Sequence, residues 1–422
     1  MARLGEFAPT QSDRFTTMPP FQPLAAADRA RLAEVLTRIQ HGSETLIGYP
    51  CNQLFDYSDL YPFLAYTINN VGDPFAGSNY QLNTHDIERD VVRDFAVLTR
   101  AEPESIWGYV TSGGTEGNLY GLYLARELYP DGIVYYSEDT HYSVAKSLRL
   151  LHARSIMIRS LDNGEIDYED LEATLRIHRD VPPIVFANVG TTMKGAIDDV
   201  RRIQSIMDDL RLGARYVHCD AALSGMILPF VDDPPAWDFS TSIDSLSISG
   251  HKMIGSPLPC GVALARRRNV ERIARSVEYV GVLDTTIGGS RSAFAPLVLW
   301  YALRRIGRDG MRQVVQTCLA TADYAIELCA KHGIRAWRNP HSITVVIPRP
   351  SESVVRKWQI APYRDIGHLI LMPHVTREMV DRIVADYLEA PRPASIRCAT
   401  SAGSRFQSAP PPALRPSHPP QE

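Results

Sequence analysis

Cysteine is scarce and unpatterned along these 422 residues: Cys51, Cys219, Cys260, Cys318, Cys329 and Cys398 are the whole complement, with no C-x-x-C pair. Such spacing offers neither a disulfide framework nor a zinc site, and fits reduced thiols in the cytoplasm, where we expect the protein to reside with no bound metal. Long apolar runs are missing too. Nothing approaches the roughly 18 residues that a membrane-spanning helix needs, so no membrane partner is expected. The N-terminus lacks an uninterrupted apolar segment behind positive charge, which argues against a secretory leader. Basic charge is not in excess: 44 Lys and Arg against 48 Asp and Glu leave a net charge of -4, no footprint for nucleic acid. No internal repeat is visible.

What remains is an ordinary globular composition, 45% hydrophobic and 22% charged, in a chain long enough for a large core and about two to three domains. Residues 1–24 mix Gly, Pro, Thr and Ser without periodicity and read as a disordered tail. Residues 396–422, with Pro410-Pro411-Pro412 and Pro419-Pro420, read as a second one. Between them, Leu32, Val35, Leu36 and Ile39 recur at helical spacing, with Gly42 as a stop. Short apolar runs then predict buried strands at Trp107–Thr111, Ile133–Tyr136, Ser155–Ile158, Ile184–Asn188, Tyr216–Cys219, Leu246–Ser249 and Gly261–Ala265. Helical patterns at Leu119–Leu128, Ser143–Leu151, Leu171–His178 and Val200–Leu210 separate most of them. That alternation predicts an α/β fold with a mostly parallel sheet covered on both faces. From about Ala295 a smaller α+β unit is expected: two helical patterns, strands near Ile343–Ile347 and Leu369–Met372, and a helix near Met379–Leu388.

In such folds ligands bind where loops converge at strand ends. Ser249-Gly250-His251-Lys252 places a lysine in a small-residue, low-charge stretch after an apolar run, an unusual setting for a surface lysine. Asp220 stands 32 residues before Lys252, at the end of another apolar run in His218-Cys219-Asp220-Ala221-Ala222. A carboxylate there needs a positive partner. A lysine and an aspartate are the pair that pyridoxal 5′-phosphate (PLP) requires. The amine holds the cofactor as a Schiff base, and the carboxylate keeps the pyridine nitrogen protonated so that the ring accepts electrons. Ala222 leaves room for a ring.

Three further loops supply suitable groups. Thr111-Ser112-Gly113-Gly114-Thr115-Glu116-Gly117-Asn118 joins a strand to a helix, with glycines for a tight turn and free N–H groups for an anion. It carries neither the Walker nor the dinucleotide-binding glycine pattern. Ser137-Glu138-Asp139-Thr140-His141-Tyr142-Ser143 offers an imidazole that can stack on a flat ring or move a proton. In Asn188-Val189-Gly190-Thr191-Thr192, hydroxyls are available for a cofactor oxygen.

Together these segments resemble the PLP-dependent group II amino-acid decarboxylases, nearest to the short bacterial histidine decarboxylases and the plant-type serine decarboxylases. The likeness runs from about Ile47 to Leu388. It is carried by Tyr109–Asn118, Asp139–Val144, Gly190–Thr192, Asp220–Gly225, Ser249–Lys252 and Pro257–Gly261. The resemblance implies an aspartate-aminotransferase-like fold (fold type I) and a homodimer with shared active sites. In it, residues 25–84 would form a helical dimer-contact segment, 85–294 the large PLP-binding domain and 295–395 the small C-terminal domain. Lys252, Asp220 and His141 would be the catalytic set. Gly113, Gly114, Thr115, Thr191, Ala222, Ser249 and His251 would join them in holding the cofactor, and Tyr49, Asn79, Tyr80, His85 and Phe294 would shape the substrate pocket.

The expected reaction is decarboxylation of an L-amino acid to its primary amine and carbon dioxide. Histidine leads through the extended match from Ser249 to Cys260; serine follows through Gly72-Asp73-Pro74-Phe75. Two segments depart from the family pattern: Ser290-Arg291-Ser292-Ala293-Phe294 and Asn83-Thr84-His85-Asp86-Ile87-Glu88. Phe294, in place of a polar residue, leaves a small or apolar amino acid as a further alternative. Transamination or oxidative deamination on the same scaffold, or a non-catalytic binding partner, are the competing classes.

Overall fold

Seven of the short apolar runs assemble into one sheet. The computed structural model describes residues 22–273, 275–277 and 282–390. The expected tail at 396–422 lies outside these, as does all but the end of the one at 1–24. The described chain opens with α1 (Ala26–Ser43), a short strand β1 (Asn69–Val71) and α2 (His85–Leu98). It then alternates through β2 (Ile106–Thr111), α3 (Gly114–Leu128), β3 (Ile133–Ser137), α4 (Ser143–Leu150), β4 (Arg154–Ile158) and α5 (Tyr168–Ile177). There follow β5 (Pro183–Asn188), α6 (Val200–Asp209), β6 (Tyr216–Asp220), β7 (Ser245–Ser249) and β8 (Gly261–Arg266). After α7 (Arg267–Glu271), β9 (Arg275–Val277), β10 (Val282–Asp284) and β11 (Ser290–Ser292) comes α8 (Phe294–Lys331). The smaller part is completed by β12 (Thr344–Pro348), α9 (Glu352–Lys357), β13 (Ile366–Ile370) and α10 (Arg377–Glu389).

Strand order is β2-β8-β7-β6-β5-β3-β4. Strands β3 to β7 pair in parallel, whereas β8 runs antiparallel to both neighbours. Residues 250–260 join β7 to β8, too short a connection for a parallel crossover of about a dozen residues or more. Every residue of β2, β5 and β7 is buried, as strands covered on both faces must be. At the β4 edge the chain is largely exposed. Because β8 is antiparallel to both β2 and β7, the C-terminal ends of β2, β3, β5, β6 and β7 all lie at one edge of the sheet.

Helix starts follow local chemistry. Asp167 caps α5 by accepting from the N–H groups of Glu169 and Asp170; Asp199 caps α6 and Thr376 caps α10. The two helical patterns past Ala295 form α8, broken at Gly307, where φ is 66°. β13 begins at Ile366, earlier than the Leu369 expected, because Gly367 and His368 interrupt the apolar run yet pair with β12. α1 runs one residue past Gly42, to Ser43. With only six residues, α9 is too short for periodicity to reveal.

The two segments that depart from the family pattern pack on each other. Arg291 pairs with Glu88, the two side chains being 4% and 0% exposed. Glu88 also accepts from Val110 N at 2.8 Å and Asn70 Nδ2 at 2.6 Å, and Arg291 Nη2 donates to Gly72 O at 2.9 Å. This ion pair ties β11 to α2 and β2. Arg291→Leu leaves the Glu88 charge buried without a partner. It should cost about 3–5 kcal/mol, read as a lower urea midpoint at unchanged slope. Adding Glu88→Gln should restore part of that loss.

Candidate active site

At the end of β2 the chain turns through Ser112 and Gly113 into α3. Gly113 has φ 148°, a conformation L side chains rarely adopt. Thr111 Oγ1 donates to Gly113 O at 3.0 Å, and Glu116 accepts from Ser112 N at 2.7 Å and from the Tyr109 hydroxyl at 3.0 Å. The turn is thereby fixed at the start of a 15-residue helix whose first N–H groups lack intrahelical partners. A Cβ at Gly114 would stand 2.9 Å from Ser249 Oγ and 3.5 Å from Ala222 Cβ; one at Gly113 would stand 3.7 Å from His251 Cε1. The helix start therefore abuts the ends of β6 and β7. Thr115 is exposed in the first turn of α3.

Asp220 closes β6. One carboxylate oxygen accepts from Ala222 N at 3.1 Å, the other from Asn118 Nδ2 at 2.7 Å. Beyond β7, Gly250 N donates to Cys260 O at 2.8 Å, and His251 Nδ1 lies 3.0 Å from the same carbonyl. These contacts fold the loop that carries Lys252. Asn52 braces it from the N-terminal segment, its backbone N–H on Lys252 O at 3.3 Å and its amide on Met253 O at 3.1 Å. Burial lowers the pKa of the Lys252 amine, while the negative charge of Asp220 pulls it upward. The amine and the Asp220 carboxylate are thus close enough to feel each other's charge. A lysine desolvated in this way holds a larger neutral, nucleophilic fraction.

His141 follows β3, its Nδ1 2.7 Å from Ser143 Oγ. Burial holds its pKa below the ordinary value, Asp220 opposes that, and Lys252 and Lys146 lower it further. The ring is thus biased toward its neutral form. Thr191 is buried after β5, and its Oγ1 accepts from Ala196 N at 3.0 Å, closing its own turn.

Among the expected pocket residues, Tyr49 lies two residues before Cys51, whose N–H donates to Tyr49 O at 2.9 Å. Tyr49, Asn79 and Tyr80 are exposed, His85 is buried with Nε2 unpartnered, and Phe294 is half-buried against the core at the start of α8. No hydrogen bond ties them to Lys252 or Asp220 among the described residues. Sequence reading overlooked Asn118, Cys51 and Asn52. Asn118 carried a legible signal: it sits in the glycine-rich turn, one helical turn beyond Gly114.

Residues 123–344 match the family model described as the pyridoxal-dependent decarboxylase conserved domain. A histidine decarboxylase from Mesorhizobium japonicum is 45% identical, over 86% of this chain and 98% of its own length. One from Acinetobacter baumannii is 48% identical, over 86% of this chain and 96% of its own. Among solved structures, L-methionine decarboxylase from Streptomyces sp. 590 superposes with a TM-score of 0.79 at 27% identity, covering 88% of this chain and 96% of that one.

Proposed function

Because the chain belongs to the pyridoxal-dependent decarboxylase family, and so is a carboxy-lyase that uses PLP, we propose that it converts L-histidine to histamine and carbon dioxide. The meeting of Lys252, Asp220 and His141 at one sheet edge supports the reaction. Likeness to bacterial histidine decarboxylases along nearly their whole length supports the side chain.

The residues present fit the cofactor. Gly114 leaves open a space beside Ser249 and Ala222 that a Cβ would fill, and a fixed helix start adjoins it. Lys252 would hold the aldehyde carbon, Asp220 the ring nitrogen, and His141 would offer its flat face to the ring. The first N–H groups of α3, with Thr115, Ser249 and His251, would hold the phosphate. When bound, PLP supplies a conjugated ring that accepts the electron pair left as the carboxylate departs. Lys252, its amine less basic through burial, sheds a proton more readily than an exposed lysine would. His141, biased toward its neutral form by burial, adds little positive charge to compete with the one Asp220 would pair.

The same reading makes 85–294 the cofactor-binding unit, 295–395 the small unit and 25–84 a dimer contact. α1 supports the last assignment: it buries no residue, and Leu32, Leu36 and Ile39 on it are 62%, 56% and 60% exposed. An isolated helix that buries nothing is marginal, so a second copy is the natural cover. The exposed Asn79 and Tyr80 would then complete the partner's pocket. Leu32→Glu with Leu36→Glu should shift sedimentation from dimer to monomer and lower activity; an unchanged dimer would contradict this. We also place the enzyme in the cytoplasm, in line with its five described cysteines, all free. No described helix is long and apolar enough to cross a membrane.

Substrate choice is tested by offering the twenty amino acids at equal concentration and measuring amine. Histidine should lead by about tenfold or more, the scale set by pairing a buried polar group. A larger kcat/KM for serine, methionine or leucine would overturn the substrate and leave the reaction class standing.

A further inference from the structure

Behind Asp220 lies a row of buried polar side chains that reaches no solvent. Asn118, His218, Ser245 and Tyr216 are each 2% exposed or less. The Tyr216 hydroxyl lies 2.8 Å from Ser245 Oγ, which lies 2.7 Å from His218 Nδ1. His218 Nε2 lies 3.0 Å from Asn118 Oδ1, and Asn118 Nδ2 lies 2.7 Å from Asp220 Oδ2.

The direction of every bond follows from the carboxylate. A carboxylate only accepts, so Asn118 must turn its NH2 toward Asp220 and its carbonyl oxygen toward His218. His218 must then carry its proton on Nε2. Burial pushes the pKa of His218 down to about 3, so the ring is neutral and its Nδ1 is bare. Bare Nδ1 accepts a hydrogen bond from the Ser245 hydroxyl, and Ser245 Oγ in turn accepts one from Tyr216. Four bonds run one way, from the phenol to the carboxylate.

The fold makes room for this row with glycine. A Cβ at Gly121 would stand 2.1 Å from His218 Nδ1, and one at Gly117 2.2 Å from Ser247 Oγ. α3 is thus laid against β6 and β7 at a distance only glycine permits, which brings Asn118 onto both His218 and Asp220.

We propose that His218 is a positioning residue: it fixes the Asn118 amide as a one-way donor to Asp220, and so sets the orientation in which Asp220 meets the cofactor's ring nitrogen. The inference rests on the PLP reading given above for Asp220. It predicts that what matters at position 218 is a side chain able to accept from Ser245 and donate to Asn118. Glutamine can do both; phenylalanine fills the space and does neither.

The test uses full-length protein freed of PLP and titrated with it. His218→Phe should weaken PLP binding about tenfold or more, the scale of one hydrogen bond to a charged group, and lower kcat more than it raises KM. His218→Gln should stay within about threefold of wild type. Equal PLP affinity in His218→Phe and wild type, or equal loss in both variants, would overturn the proposal. If the phenylalanine variant does not fold, 15N NMR of histidine-labelled wild-type apoprotein decides, with His218→Gln assigning the signal. A neutral Nε2–H ring from pH 5 to 9 is expected, and an Nδ1–H or charged ring would overturn the relay. Wild-type protein that binds no PLP would defeat the PLP reading instead, and the NMR result would still judge the relay.

Discussion

Replacing Lys252 with alanine is expected to reduce amine formation by about a thousandfold or more, the scale of losing a group that both holds a reactant and transfers protons. Lys252 stands in a loop fixed by Gly250, His251 and Asn52, so its backbone contacts survive the change. Removing a largely buried amine also relieves its desolvation. Thermal stability should therefore hold or rise while turnover disappears. PLP should still bind, without a covalent link, through the helix start and Asp220. Borohydride reduction of wild type should fix the chromophore on the peptide containing Lys252. Label on another lysine would contradict the assignment.

Asp220→Ala is expected to lower kcat by about a hundredfold to a thousandfold, as for removal of one preorganised electrostatic partner. It should weaken PLP affinity as well. The alanine leaves Ala222 N–H and the Asn118 amide without their acceptor, so a moderate loss of stability of about 1–3 kcal/mol should accompany it. Asp220→Asn separates the two effects. It keeps the size and one acceptor oxygen but loses the negative charge, so turnover should fall nearly as far while stability stays closer to wild type. Near-normal turnover in Asp220→Asn would remove the pyridinium argument.

Much of this could be read before any coordinates. Strands β2, β3 and β5 to β7 are buried because both faces of the sheet are covered there, and their apolar runs are visible as such. Asp220, His141 and Lys252 were legible because each ends or follows such a run, where loops gather. The antiparallel place of β8 was less visible, although the short connection after Lys252 contained the reason. Hidden altogether was the role of His218. In a strand, residues two apart share a face, so His218 and Asp220 were legible as neighbours. The link between them passes through Asn118 on α3, and only the approach allowed by Gly117 and Gly121 creates it. The segments 83–88 and 290–294 read in sequence as departures bearing on substrate choice, and their contact through Arg291 and Glu88, a buried brace 203 residues apart in sequence, was not visible there. Contacts of that span leave no local periodicity to read.

The most direct measurement supplies L-histidine labelled at the carboxyl carbon to purified protein with PLP and follows labelled carbon dioxide and histamine together. The account predicts that both appear in equal amounts and that neither appears with Lys252→Ala. Imidazole pyruvate or imidazole acetaldehyde in place of histamine, or release of carbon dioxide that persists in Lys252→Ala, would contradict it.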